Sequence, residues 1–175
     1  TMDGVAFIQI QNILSEKGKE LSAGWFIQMP NNDIPVDDLN SQEEMDQKLK
    51  QAKPQIKEMA ECIKESKANE IEIPTKRTRS IEKTNKTFRD GVFKMDEFFF
   101  ADENCTSCGI CEQVCPINNI ILVDGKPQWQ HECQMCVACI NYCPEESIQY
   151  DEKTQDRGRY QNPEITVEEI ISQKK

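Results

Sequence analysis

The chain has 175 residues, 31 acidic against 21 basic side chains, a net charge of −10, nine cysteines and one histidine. The length allows one domain or two small ones, and the charge argues against a nucleic-acid backbone or an anionic lipid surface as partner. No run of about 18 apolar residues occurs, so no membrane span is expected. The opening residues carry no basic stretch ahead of an apolar one, which argues against a signal peptide and makes the reducing cytoplasm the expected compartment.

Residues 4–17 are predicted to form a helix, with Phe7, Ile10 and Leu14 on one face, Ala6 and Ile13 beside it, and Gly18 as its C-terminal cap. Residues 20–29, "ELSAGWFIQM", alternate with period two, so Leu21, Ala23, Trp25, Ile27 and Met29 are predicted to share one face of a strand. A loop with two prolines follows. Ser41 and Glu44 then suggest a capping box for a long helix with Met45, Leu49, Ile56, Met59 and Ile63 on its apolar face. Pro54 predicts a kink there, or two helices end to end. A single strand has no neighbour to satisfy its backbone groups, so the first 73 residues are expected to pair that strand with another chain or with a missing N-terminal half.

Residues 74–94 carry seven basic and two acidic side chains and read as a solvated linker or a short exposed helix. The charge then reverses, with 13 acidic and 6 basic side chains over residues 101–175. Acid concentrates where the cysteines are, so a partner with a basic docking face is expected.

"CTSCGICEQVCP" at 105–116 and "CQMCVACINYCP" at 133–144 repeat one pattern at a spacing of 28 residues. Each is C-x2-C-x2-C-x3-C-P, the bacterial iron–sulfur run, whose fourth cysteine ligates the other cluster in two-cluster proteins. Three thiols at two-residue intervals wrap three corners of a 4Fe–4S cube, and the fourth corner is reached from a distant residue. Cys105, Cys108, Cys111 and Cys143 are therefore assigned to one 4Fe–4S cluster, and Cys133, Cys136, Cys139 and Cys115 to a second. Structural zinc, which prefers paired knuckles, leaves the third cysteine of each triplet unexplained, and disulfides do not suit a reducing compartment. Cys62 stands apart as an inert thiol, and His131 as a surface residue.

Between and around the motifs, Ile120–Val123 and Pro127–Trp129 are predicted as strands joined at Asp124-Gly125. "DEFFFADE" and "ESIQYDE" are predicted to pair as a second ribbon. Ile110, Val114, Ile117, Val137, Ile140 and Ile148 would then form an apolar sheath, with Trp129 and Tyr142 flanking the clusters.

Over residues 97–152 the chain resembles bacterial-type two-cluster ferredoxins. One departure is Val137, where the first motif has Gly109. With "GVAFIQIQNILSEKGKELSAGWFIQMPNN", "CINYCPEESIQY" and "RGRYQNPEIT" added, the chain resembles the flavodoxin–ferredoxin fusion family. The resemblance implies an α+β chain: residues 1–73 as a helix–strand–helix remnant of a flavodoxin-like domain, 74–96 a basic linker, 97–152 a ferredoxin domain with two short antiparallel ribbons, and 153–175 a C-terminal extension. Thr1–Gly4 would end a loop beside the flavin ring. The phosphate loop of that family is absent, so no residue is assigned to FMN, which is expected only where the missing flavodoxin part is supplied. The function implied is an electron carrier passing electrons through two clusters to or from a redox partner. The alternatives are the electron-feeding module of a flavin-dependent reductase and an iron–sulfur module that senses or braces without turnover.

Overall fold

The computed structural model describes residues 5–69, 71 and 78–174, with only the backbone of 5 and 78–82. Thr1–Gly4 and residues 74–77 of the basic linker lie outside them. Two compact units divide the chain: Thr1–Met29 with Gln42–Phe88, and Pro30–Ser41 with Arg89–Lys175. Residues 30–41 thus group with the cysteine-rich part.

In the first unit α1 (Val5–Ser15) ends as its sequence predicts. Gly18 takes φ +65°, and the amides of Gly18 and Lys19 close on the carbonyls of Ser15 and Leu14 at 3.0 and 2.8 Å. The predicted face is only partly covered, because Ile10 remains 43% exposed. The predicted strand does not form. Residues 19–33 hold no regular structure, although Leu21, Ala23, Trp25 and Ile27 are half-buried and Ser22, Phe26 and Gln28 are exposed; Met29, expected on the inward face, is exposed as well. Alternation sets which side chains turn inward, but a strand also needs a neighbour for its backbone. Here a side chain takes that place: the Asn69 amide accepts from Gly24 N and donates to Gly24 O, both at 2.9 Å. The helix–strand–helix expectation is therefore corrected to helix, extended segment and helix.

The helix α2 (Gln42–Lys64) runs on through Pro54 as one element, not two. Of its predicted face, Met45, Leu49 and Met59 are half-buried, whereas Ile56 and Ile63 are exposed. The linker is helical, as α3 (Thr78–Gly91), followed by a tight 3-10 turn at Val92–Phe98.

In the second unit, β1 (Phe99–Ala101) pairs antiparallel with β4 (Ile148–Tyr150), and β2 (Ile120–Val123) with β3 (Lys126–Trp129). Both predicted ribbons form. Asp124 and Gly125 take φ +49° and +76°, the paired positive angles a type I′ turn requires. Two short helices, α4 (Ile110–Val114) and α5 (Ala138–Asn141), carry the middle of each cysteine motif. The last helix, α6 (Val167–Ser172), is opened by a capping box between Thr166 and Glu169. Beyond it, Lys174 Nζ bonds the Glu112 carbonyl of α4 at 2.9 Å.

The core gathers Ile34, Phe99, Ile120, Val137, Ile140, Ile148 and Tyr150 with Cys111, Cys115, Cys139 and Cys143. Of the predicted sheath, Val114, Val137, Ile140 and Ile148 are buried and Ile110 half-buried, but Ile117 is exposed. Ile34 is wholly buried there, and Arg157 bonds its carbonyl.

Asn141 fastens three segments. Its Nδ2 donates to the Asn32 and Val137 carbonyls at 2.9 and 3.2 Å, and its Oδ1 accepts from Tyr160 N at 2.8 Å. Leucine at this position removes all three bonds and leaves the Asn32 carbonyl and the Tyr160 amide without this partner, while the Val137 carbonyl keeps the Asn141 amide at 3.1 Å. Asn141→Leu is expected to destabilise the unit by about 3 kcal/mol, roughly one per lost bond, read from denaturant unfolding. Protease should then cut first within residues 153–175.

Candidate iron–sulfur centre

The two motifs fold as copies. Ser107 and Met135, one repeat apart, both adopt left-handed backbone, as do Gly109 and Val137 at φ +78° and +54°. Asn118 and Glu146 form a third such pair, and their amides close turns onto the Cys115 and Cys143 carbonyls at 3.3 and 3.1 Å. The substitution of valine for glycine therefore leaves the loop conformation unchanged. A β-branched residue is strained at this angle, by about 1–2 kcal/mol, and burial of the Val137 side chain offsets it.

Exposure follows the same repeat. The first thiols, Cys105 and Cys133, are half-buried; the second, Cys108 and Cys136, are exposed; the third and fourth of each motif are buried. Gly109 and Val137 stand at the N-termini of α4 and α5, and these helices carry Cys111 and Cys139 inward. Cys115 and Cys143 follow the helices and precede the prolines, so the chain turns away after each.

Two cavities of similar size, about 340 and 310 Å³ of atom-free space including their open mouths, lie among these thiols. Cys105, Cys108, Cys111 and Cys143 line one, with Leu122, Ser147 and Ile148. Cys115, Cys133, Cys136 and Cys139 line the other, with Phe99, Ile120, Trp129 and Val137. Each cavity thus draws three thiols from one motif and the last from its copy. The thiols acting on Cys111 are Cys108, Cys143 and Cys105, and those acting on Cys139 are Cys136, Cys133 and Cys115 together with Cys111 of the other cavity. Cys136 and Cys115 act on Cys133.

The donor set fits an iron–sulfur cluster. All nine cysteines are free thiols, and soft thiolates select such clusters. Among the described residues no three His, Cys, Asp or Glu side chains converge closely enough to hold a single ion. Burial pushes the Cys111 thiol up to about 11 and the fully buried Cys139 thiol well above its ordinary value. Left alone these groups keep their protons, and iron must displace them on binding. Backbone amides already reach sulfur, Asn119 N to Cys115 Sγ at 3.2 Å and Met135 N to Cys133 Sγ at 3.3 Å. Trp129 Nε1 is buried without a partner among the residues lining the second cavity, a spare donor beside it.

Two matches to known families fall on these segments: a 4Fe-4S binding domain over residues 99–121 and another over residues 130–151. Two 4Fe–4S clusters are the cofactors of this chain. The first match spans β1 and the motif beginning at Cys105; the second spans the motif beginning at Cys133 and β4. They support an iron–sulfur electron-transfer role, and the short antiparallel strand pairs and helices of the second unit are consistent with a ferredoxin-like domain. Neither reaches the first unit, where the flavodoxin resemblance lies. No curated protein and no solved structure matches the chain.

Of the other sequence candidates, Trp129 lines the second cavity and stacks on Phe99, with ring centroids 5.6 Å apart. Tyr142 is half-buried and lines neither. His131 is exposed, with its Nδ1 2.9 Å from Asp96. Cys62 is a half-buried free thiol of α2. Four residues around the site carry no sequence signal: Asp96, Asn119, Asn141 and Arg159. Each acts through contacts more than ten residues distant in the chain.

Proposed function

We propose that the chain is an electron carrier in which Cys105, Cys108, Cys111 and Cys143 hold one cluster and Cys115, Cys133, Cys136 and Cys139 the other. The observation that carries this reading is the gathering of the eight thiols into two cavities, each completed by the last cysteine of the opposite motif. A bound 4Fe–4S cluster supplies reversible one-electron chemistry. The chain's own residues do the rest. Ile120, Val137 and Ile148 keep water from the buried thiols, and backbone amides donate to sulfur. The exposed Cys108 and Cys136 are where an electron enters and leaves.

The partner we propose is a redox protein, a flavin-bearing one included, that presents a basic face. The 13 acidic and 6 basic side chains of residues 101–175 support this, and association should weaken as salt rises. The reducing cytoplasm suits these free thiols.

The test is anaerobic metal and sulfide analysis followed by reductive titration. About eight iron and eight sulfide per chain, with reversible one-electron reduction at both sites, are expected. About two zinc without acid-labile sulfide would overturn the reading, as would clusters that accept no electron reversibly.

A further inference from the structure

The two cysteine sites share one backbone but stand before opposite charges. In the 28-residue repeat Asn119 corresponds to Ser147, and each reaches the sulfur four positions earlier. Asn119 N donates to Cys115 Sγ at 3.2 Å, and Ser147 Oγ lies 3.3 Å from Cys143 Sγ. Behind Asn119 stands Asp96, 2% exposed. Its carboxylate accepts from Asn119 Nδ2, His131 N and His131 Nδ1, each at 2.9 Å. Around Ser147 stands Arg159, whose guanidinium donates to the Glu146 and Ile148 carbonyls on either side of it at 3.4 and 3.2 Å. Further bonds to the Thr154, Arg157 and Gly158 carbonyls and to Gln149 Oε1 fix it in place.

Asp96 acts electrostatically on Cys133, and Arg159 interacts with Cys143. Glu146 and Asp102 also face Arg159. Glu146 is exposed and Asp102 half-buried, so solvent screens them more than it screens Asp96. A guanidinium stays charged throughout the working pH range.

We propose that these two charges make the sites unequal. Arg159 makes the site of Cys105, Cys108, Cys111 and Cys143 the easier to reduce, and Asp96 makes the site of Cys115, Cys133, Cys136 and Cys139 the harder. Reduction adds one electron and breaks no bond, so a nearby cation lowers its cost and a nearby carboxylate raises it. The first electron taken from an external donor therefore settles at the Arg159 site, and internal transfer runs toward it from the Asp96 site. This rests on the two-cluster reading above.

The test is potentiometric titration of the 175-residue chain with dithionite, followed by electron paramagnetic resonance, on wild type, Arg159→Gln, Arg159→Lys and Asp96→Asn. Iron and sulfide are counted first: a wild type without about eight of each fails the two-cluster reading, and this inference falls with it. With clusters present, wild type should show two separate potentials. Arg159→Gln should lower the higher one, Arg159→Lys should restore it, and Asp96→Asn should raise the lower one. The expected size is a tenfold change in the distribution of the first electron, about 59 mV for a one-electron couple. Coincident wild-type potentials overturn the proposal. So does an iron-replete Arg159→Gln variant with an unmoved higher potential, or a lysine variant that behaves like glutamine. Where Arg159→Gln does not keep its clusters, Asp96→Asn decides: a raised lower potential supports the proposal and an unmoved one overturns it.

Discussion

Stripped of iron by a chelator and an oxidant under argon, residues 89–175 are expected to lose their cooperative fold. The reason is the composition of the interior. Four of the eleven residues in its hydrophobic core cluster are the cysteines 111, 115, 139 and 143. The ribbons around them are three and four residue pairs long, too short to stand alone. Five non-glycine positions in the motif repeats (Ser107, Asn118, Met135, Val137 and Glu146) hold left-handed backbone, at about 1 kcal/mol or more each. Clusters that tie four thiolates apiece offset this, and their removal leaves only protonated thiols around two cavities. Structural zinc in small domains contributes on the order of 10–16 kcal/mol, and a loss of comparable size is as large as the whole stability of a typical domain, about 5–15 kcal/mol. Circular dichroism melts and amide exchange read the outcome. An iron-free chain that still melts cooperatively within about 5 °C, a shift of about 1 kcal/mol, would show that apolar packing suffices.

Replacing Cys143 is expected to remove the cluster of the other motif. The fourth thiol of the cavity lined by Cys105, Cys108 and Cys111 comes from residue 143. Iron and sulfide should therefore fall by about half, to roughly four of each, in both Cys143→Ser and Cys143→Ala. Alkylation and mass spectrometry locate the loss. Cys105, Cys108 and Cys111 should become reactive, while Cys115, Cys133, Cys136 and Cys139 stay protected. Cys115→Ala should give the mirror pattern. Exposure of Cys133, Cys136 and Cys139 in the Cys143 variants would instead mean that each motif serves its own cluster.

The second unit was largely legible because its signals are local or periodic. The cysteine spacing, the Asp124-Gly125 turn and the apolar runs of "FFF", "IILV" and "SIQY" give both ribbons at their observed pairing. The strand expected at residues 20–29 fails for a reason periodicity does not contain. Alternation reports burial, and a ladder is a property of two segments; the Asn69 amide serves Gly24 in place of a neighbouring strand. Exposed Ile117, Ile56 and Ile63 show the same limit, since hydrophobic spacing marks a face without naming what covers it. Asp96 and Arg159 were invisible because a charged residue reads as surface unless its distant partners are known. Val137 went the other way: the residue type argued against a left-handed position that the repeat nevertheless imposes.

The seating of Ile34 against the cysteine-rich unit sets the order in which the molecule can be assembled. The bond from Arg157 to its carbonyl joins residues 123 apart in sequence, so this part of the interior cannot close on a ribosome until Arg157 has emerged. Until then a nascent chain holds apolar surface and reactive thiols open, and closure over so long an intervening segment is slow. Excising residues 97–152 as a minimal electron-transfer piece would leave a hole where Ile34 sits. A piece for such use needs the 30–41 segment supplied again, by permutation or by a short covalent graft.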